Sequence, residues 1–66
     1  MQIVVNGEMR EVGDEMTVSS LLATMGLDRA ACAVEVNGQL VPRAQHGECV
    51  LRDGDRVELV TLVGGG

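Results

Sequence analysis

Val57-Glu-Leu-Val-Thr-Leu-Val63 is the most apolar β-like run of the chain, and it passes without a polar turn into Gly64-Gly65-Gly66. Its β-branched and leucine residues predict a buried strand. Consecutive glycines have the greatest backbone freedom, so they predict a free end. We therefore expect one domain over residues 1–63 and a flexible tail over residues 64–66, which presents the α-carboxylate of Gly66.

Alternation along this last strand assigns its side chains to two faces of a sheet. Glu58 marks the solvent side, and Val60 and Leu62 share its face. They are expected to be exposed apolar residues just before the tail. We interpret Val60 and Leu62 as a docking patch for a partner protein.

Two Asn-Gly pairs, at residues 6–7 and 37–38, each separate two β-like runs. Because Asn-Gly tolerates the positive φ angles of a type I′ turn, each pair predicts a β-hairpin. Pro42 cannot donate a ladder hydrogen bond, so the fourth strand is expected to be short and to lie at an edge. Residues 44–48 are expected to form a loop, and Cys49-Val-Leu51 is a candidate short strand.

A single helix is predicted between the two hairpins. Thr17 can serve as its N-cap, apolar residues recur at positions 18, 21, 22 and 25, and Gly26 can end it as a left-handed cap. The order β-β-α-β-β-β places the last strand beside the first in the middle of the sheet. These features predict an α+β protein of the β-grasp (ubiquitin-like) architecture, with a mixed sheet of four to five strands packed on one helix.

Composition narrows the range of functions. The net charge is −5 with no lysine, which argues against nucleic acid and favours partner proteins with basic surfaces. No apolar run approaches the ~18 residues of a membrane span, so we expect no membrane contact and a cytoplasmic location. Cys32 and Cys49 lie far apart and in no metal-ligand spacing, so we expect no metal site. A disulfide is formally possible, but we expect two buried or half-buried free thiols. His46, the only imidazole, has no nucleophile at a triad spacing and is expected to be a solvated loop residue.

Several short motifs together resemble the ThiS/MoaD family of ubiquitin-like sulfur carriers, and within it the carriers of thiamine biosynthesis. The resemblance covers essentially the whole chain. The matching segments are Val5-Asn-Gly-Glu8, Thr17-Val-Ser-Ser-Leu-Leu22, Ala33-Val-Glu-Val-Asn-Gly38, Val41-Pro-Arg43, Asp53-Gly-Asp55 and the glycine end. The chain departs from the family in having three terminal glycines instead of two, and in lacking an aromatic residue near His46.

The resemblance implies a carrier and not an enzyme, with no cofactor of its own. An E1-like, ThiF-type adenylyltransferase would adenylate the carboxylate of Gly66, and a persulfide sulfur donor would convert it to a thiocarboxylate. A ThiG-type thiazole synthase would then receive the sulfur. Gly65 would give the tail a slim approach to the active site, and Gly64 would extend the stalk.

Other functions are compatible with the same fold and tail. One is the small subunit of molybdopterin synthase, and others are carriers of further sulfur pathways and ubiquitin-like protein modifiers. A non-enzymatic β-grasp interaction module would not need its C-terminus at all. The carriers of these pathways differ from one another in the molecule that accepts the sulfur.

Overall fold

The computed structural model describes residues 1–28 and 30–61. The predictions for Leu62, for Val63 and for the three glycines lie outside these residues. The elements follow the predicted order: β1 (Gln2–Val5), β2 (Glu8–Glu11), α1 (Val18–Thr24), β3 (Cys32–Val36), β4 (Gln39–Val41), a 3₁₀ helix (Arg43–Gln45) and β5 (Arg56–Thr61).

The five strands form one mixed sheet in the order β2-β1-β5-β3-β4. Strand β5 runs parallel to β1 and antiparallel to β3, and both hairpins are antiparallel. The last strand therefore lies in the middle of the sheet beside the first, and β4 lies at an edge, as predicted. One helix on a mixed five-stranded sheet confirms the β-grasp architecture.

Both hairpin turns have the backbone geometry that Asn-Gly predicts. The φ angles are 50° and 82° at Asn6 and Gly7, and 52° and 83° at Asn37 and Gly38. These values are those of a left-handed type I′ turn, in which asparagine and glycine are the least strained residues.

The helix is capped at both ends by the predicted residues. Thr17 Oγ1 accepts a hydrogen bond from the backbone N–H of Ser20 at 3.0 Å. At the other end Gly26 has a φ of 74°, and the N–H of Leu27 donates to the carbonyl of Leu22 at 2.7 Å. This pattern is a Schellman motif, which satisfies a carbonyl that the end of the helix leaves free.

The helix covers one face of the sheet only. Its buried residues pack with the inward side chains of the central strands and with Leu51 in a single core: Ile3, Val5, Val18, Leu21, Leu22, Val34, Leu51, Val57 and Leu59. The opposite face of the sheet is not covered by any described element, and we call it the open face. None of the described helices has the length and apolar character needed to cross a membrane.

Two predictions between β4 and β5 were wrong in detail. The expected loop at residues 44–48 begins inside the 3₁₀ helix, and the candidate strand Cys49–Leu51 is only an isolated bridge between Val50 and Thr17. The segment bonds instead to the start of the helix, because Val18 N–H donates to the Cys49 carbonyl and Leu51 N–H to the Met16 carbonyl. Two bonds fix the segment in place without extending the sheet.

Candidate functional site on the open face and at the end of strand β5

The side chains of β5 alternate between the core and the open face. Val57 and Leu59 are buried, whereas Glu58 is exposed and Val60 keeps 59% of its surface accessible. The prediction that Val60 is an exposed apolar residue is therefore confirmed. Its predicted partner in the docking patch, Leu62, lies outside the described residues.

The strand register identifies the neighbours of Val60 and Glu58 on the open face. Ala33 lies opposite Val60, and Glu35 lies opposite Glu58. One strand further out, Leu40 lies opposite Glu35 and is 65% exposed. The open face thus carries small and aliphatic side chains around a central pair of carboxylates, and Arg56 lies on the same face two residues before Glu58.

Glu35 and Glu58 form a like-charge pair across two neighbouring strands. Neither carboxylate forms an ion pair within the described residues, where the ion pairs join the N-terminal ammonium to Glu11 and Asp14. Directly opposed like charges destabilise a sheet by a few tenths of a kcal/mol to about 1 kcal/mol. Repulsion between these two carboxylates therefore lowers the stability of the free chain.

The turn asparagines hold β5 from its two sides. The Asn6 amide accepts from Leu59 N–H at 2.7 Å and donates to the Leu59 carbonyl at 3.2 Å. The Asn37 amide accepts from Arg56 N–H at 3.0 Å and donates to Asp55 at 3.0 Å. From the sequence, both residues were interpreted only as turn formers. Their hydrogen bonds to β5 cannot be predicted until the order of the strands in the sheet is known.

His46 is not the solvated loop residue that the sequence predicted. It is 8% exposed, and its Nε2 lies 3.0 Å from the carbonyl oxygen of Val41. Since a carbonyl only accepts, Nε2 carries the proton and donates. The backbone carbonyl of His46 also accepts from Ser19 N–H at 2.9 Å. The imidazole therefore fills space between the 3₁₀ helix, β4 and α1, which is a structural role.

A cavity of about 150 Å³ lies beside His46. Its polar lining includes Ser19, Cys32 and Arg43. Cys32 and Cys49 are both free and half-buried, as predicted. Across residues 1–28 and 30–61, no three His, Cys, Asp or Glu side chains are grouped so that they could hold a metal ion. The lining of this cavity thus includes a thiol, an imidazole and a guanidinium.

Comparison with known proteins places these features in a family. The family model described as the ThiS family matches residues 3–66. The sulfur carrier protein ThiS of Escherichia coli is 33% identical over 66 residues, covering all of both chains. A thiamine biosynthesis protein (ThiS) from Geobacter metallireducens, solved by crystallography, superposes with a TM-score of 0.83 at 35% identity and full coverage of both chains.

The whole chain is also similar to one part of a larger protein. The thiazole synthase of Paramagnetospirillum magneticum is 41% identical over 66 residues, which cover all of this chain and 20% of that protein. The chain thus spans about a fifth of the length of this relative. The matches of full length establish the family that the sequence motifs predicted. The chain belongs to the ThiS family of sulfur carrier proteins.

Proposed function

We propose that the chain carries sulfur for thiazole formation in thiamine biosynthesis, and that the reacting group is the carboxylate of Gly66. The observation that supports this most is the family match, which extends from residue 3 through the terminal glycines. A fold match alone would support a binding module equally well, because the β-grasp architecture serves many functions.

The chemistry explains why such a carrier needs an activating partner. A carboxylate is a poor electrophile until one of its oxygens becomes part of a leaving group. Attack of the Gly66 carboxylate on the α-phosphate of ATP releases pyrophosphate and gives an acyl-adenylate. The terminal sulfur of a donor persulfide then displaces AMP, and a thiol reduces the resulting S–S bond to release the thiocarboxylate. The thiocarboxylate is an anionic sulfur nucleophile that stays attached to its carrier.

The open face is the proposed docking surface for the E1-like adenylyltransferase. Val60 and Leu62 would supply apolar contact beside the tail, and the exposure of Val60 supports this role. Glu35 and Glu58 would pair with a basic side chain of the enzyme, which agrees with the net charge of −5. Docking here would hold the tail next to the nucleotide.

Thiazole synthase is the proposed sulfur acceptor. Its support comes from the thiazole synthases of Paramagnetospirillum magneticum and Magnetococcus marinus, which contain a segment similar to this whole chain. Joining a donor and an acceptor in one polypeptide raises their effective concentration, which is useful only when the two act together. We also propose a cytoplasmic location, where ATP and reducing thiols are supplied.

The test is ATP-pyrophosphate exchange with a ThiF-type adenylyltransferase from the same source. Adding one alanine after Gly66 shifts the carboxylate by about 3.3 to 3.6 Å. A misplacement of about 1 Å can cost roughly a hundredfold in rate, so exchange should be abolished. Gly65→Val should fail as well, by adding bulk where the tail must be slim.

Gly13→Val is the matched control for the glycine substitution. A Cβ at Gly13 meets no heavy atom within 4 Å, and the position has no positive φ. This variant should exchange like the parent. Normal exchange in the chain extended past Gly66 would show that exchange does not require a free carboxylate at Gly66, and would contradict the proposal.

A further inference from the structure

The pairing between β1 and β5 is short, and a side chain extends it. Backbone pairing runs through Val4↔Arg56 and Val5↔Val57, and it ends where the chain turns at Asn6. On the other side of β5, pairing with β3 continues as far as Cys32↔Thr61. Beyond Val57, the described contact between β5 and the β1 side is therefore made by Asn6.

The Asn6 amide acts as a substitute for the next residue of β1. A carboxamide offers the same donor and acceptor as a peptide group. Asn6 uses both of them on Leu59, and its backbone N–H donates to the carbonyl of Val57 at 2.9 Å. Three hydrogen bonds thus tie one turn residue to β5, and two of them are made to Leu59, immediately before Val60.

Asn37 provides an internal comparison. It has the same neighbour in sequence, nearly the same φ, and the same kind of contacts to β5. Its backbone N–H and side-chain oxygen bond to the carbonyl and N–H of Arg56, at the first residue of the strand. One asparagine therefore fixes the start of β5 at Arg56, and the other fixes its middle at Leu59.

We propose that Asn6 is a positioning residue for the tail, because it fixes Leu59 and thereby the direction in which β5 continues to Val60 and towards the glycines. This inference rests on the proposed function of Gly66. Leu59 lies seven residues before Gly66. With Leu59 held on both sides, β5 has one fixed direction as it reaches Val60. Held by β3 alone, this part of the strand can twist away from the sheet.

The test compares Asn6→Gly with Asn37→Gly. Glycine accepts the positive φ at either turn, so each variant removes an amide and leaves the turn allowed. Both should lose thermal stability, and Asn6→Gly should lose more, because the side-chain bonds of Asn6 are partly buried and those of Asn37 are exposed. At a temperature where all three proteins are folded, Asn6→Gly should lower kcat/KM for ATP-pyrophosphate exchange by about tenfold or more, since about 1 Å of misplacement costs roughly a hundredfold. Asn37→Gly should leave kcat/KM unchanged.

Amide hydrogen exchange of the isolated chain supplies a readout that needs no partner. The amide of Val60, which faces β3, should exchange several-fold faster in Asn6→Gly and at the parental rate in Asn37→Gly. Unchanged exchange at this amide in Asn6→Gly would overturn the inference. So would equal kcat/KM values for the two variants. If the parent itself supports no pyrophosphate exchange, the proposed function is wrong, and the amide measurement alone decides whether Asn6 holds the strand end.

Discussion

Replacing Val60 by aspartate should weaken docking of the adenylyltransferase without unfolding the chain. Val60 keeps 59% of its surface exposed, so a partner can cover that fraction of the side chain. Full burial of a valine contributes about 1.5 to 3 kcal/mol, which scales here to about 1 to 2 kcal/mol. Since 1.4 kcal/mol is a factor of ten, loss of this burial alone should raise Kd by about 5- to 30-fold. The unpaired carboxylate adds a further penalty.

Val50→Asp is the matched control for this substitution. Val50 is the same residue type and is 52% exposed, but it lies in the segment that bridges to Thr17 at the start of the helix. The assay is calorimetric titration of each folded variant into the adenylyltransferase, with thermal unfolding measured in parallel. An unchanged Kd for Val60→Asp, or equal losses for both variants, would refute docking through the open face.

Three further predictions concern the open face, the core and the thiols. Glu35→Gln should stabilise the free chain by a few tenths of a kcal/mol in chemical denaturation, because it relieves repulsion with Glu58, and it should reduce the salt dependence of docking. A rise in salt dependence would contradict a cationic partner group. His46→Ala should destabilise the chain by about 2 to 4 kcal/mol through a cavity and a lost hydrogen bond, and a loss within 0.5 kcal/mol would argue against its structural role. Replacing Cys32 and Cys49 by serine should leave sulfur transfer intact in a single-turnover assay, and loss of transfer by the folded variant would implicate a thiol.

The parts of the fold that the sequence predicts are those that local chemistry determines. Asn-Gly at residues 6–7 and 37–38 is the dipeptide that best tolerates the positive φ angles of a type I′ turn, so both hairpins could be identified from two residues each. Period-two alternation then separated buried Leu59 from exposed Val60. Such signals lie within a few positions of the residues that they describe, and no tertiary information is needed to interpret them.

Features that depend on contacts between distant segments could not be predicted in this way. The Asn6 amide bonds to a residue 53 positions away, and nothing near Asn6 in the sequence indicates that partner. His46 is buried because α1 and β4 close around its loop. The polar, glycine-containing segment around His46 predicts that its side chain is exposed. Packing against α1 and β4 buries it instead.

The most direct test of the carrier function is the mass of the chain after reaction. The protein is incubated with the ThiF-type adenylyltransferase, ATP and a persulfide donor, and its intact mass and C-terminal fragments are measured. A fraction should become heavier by the mass difference between sulfur and oxygen, and fragmentation should locate the change at Gly66. An unchanged mass would contradict the carrier function. So would added sulfur located at Cys32 or Cys49 with an unmodified Gly66.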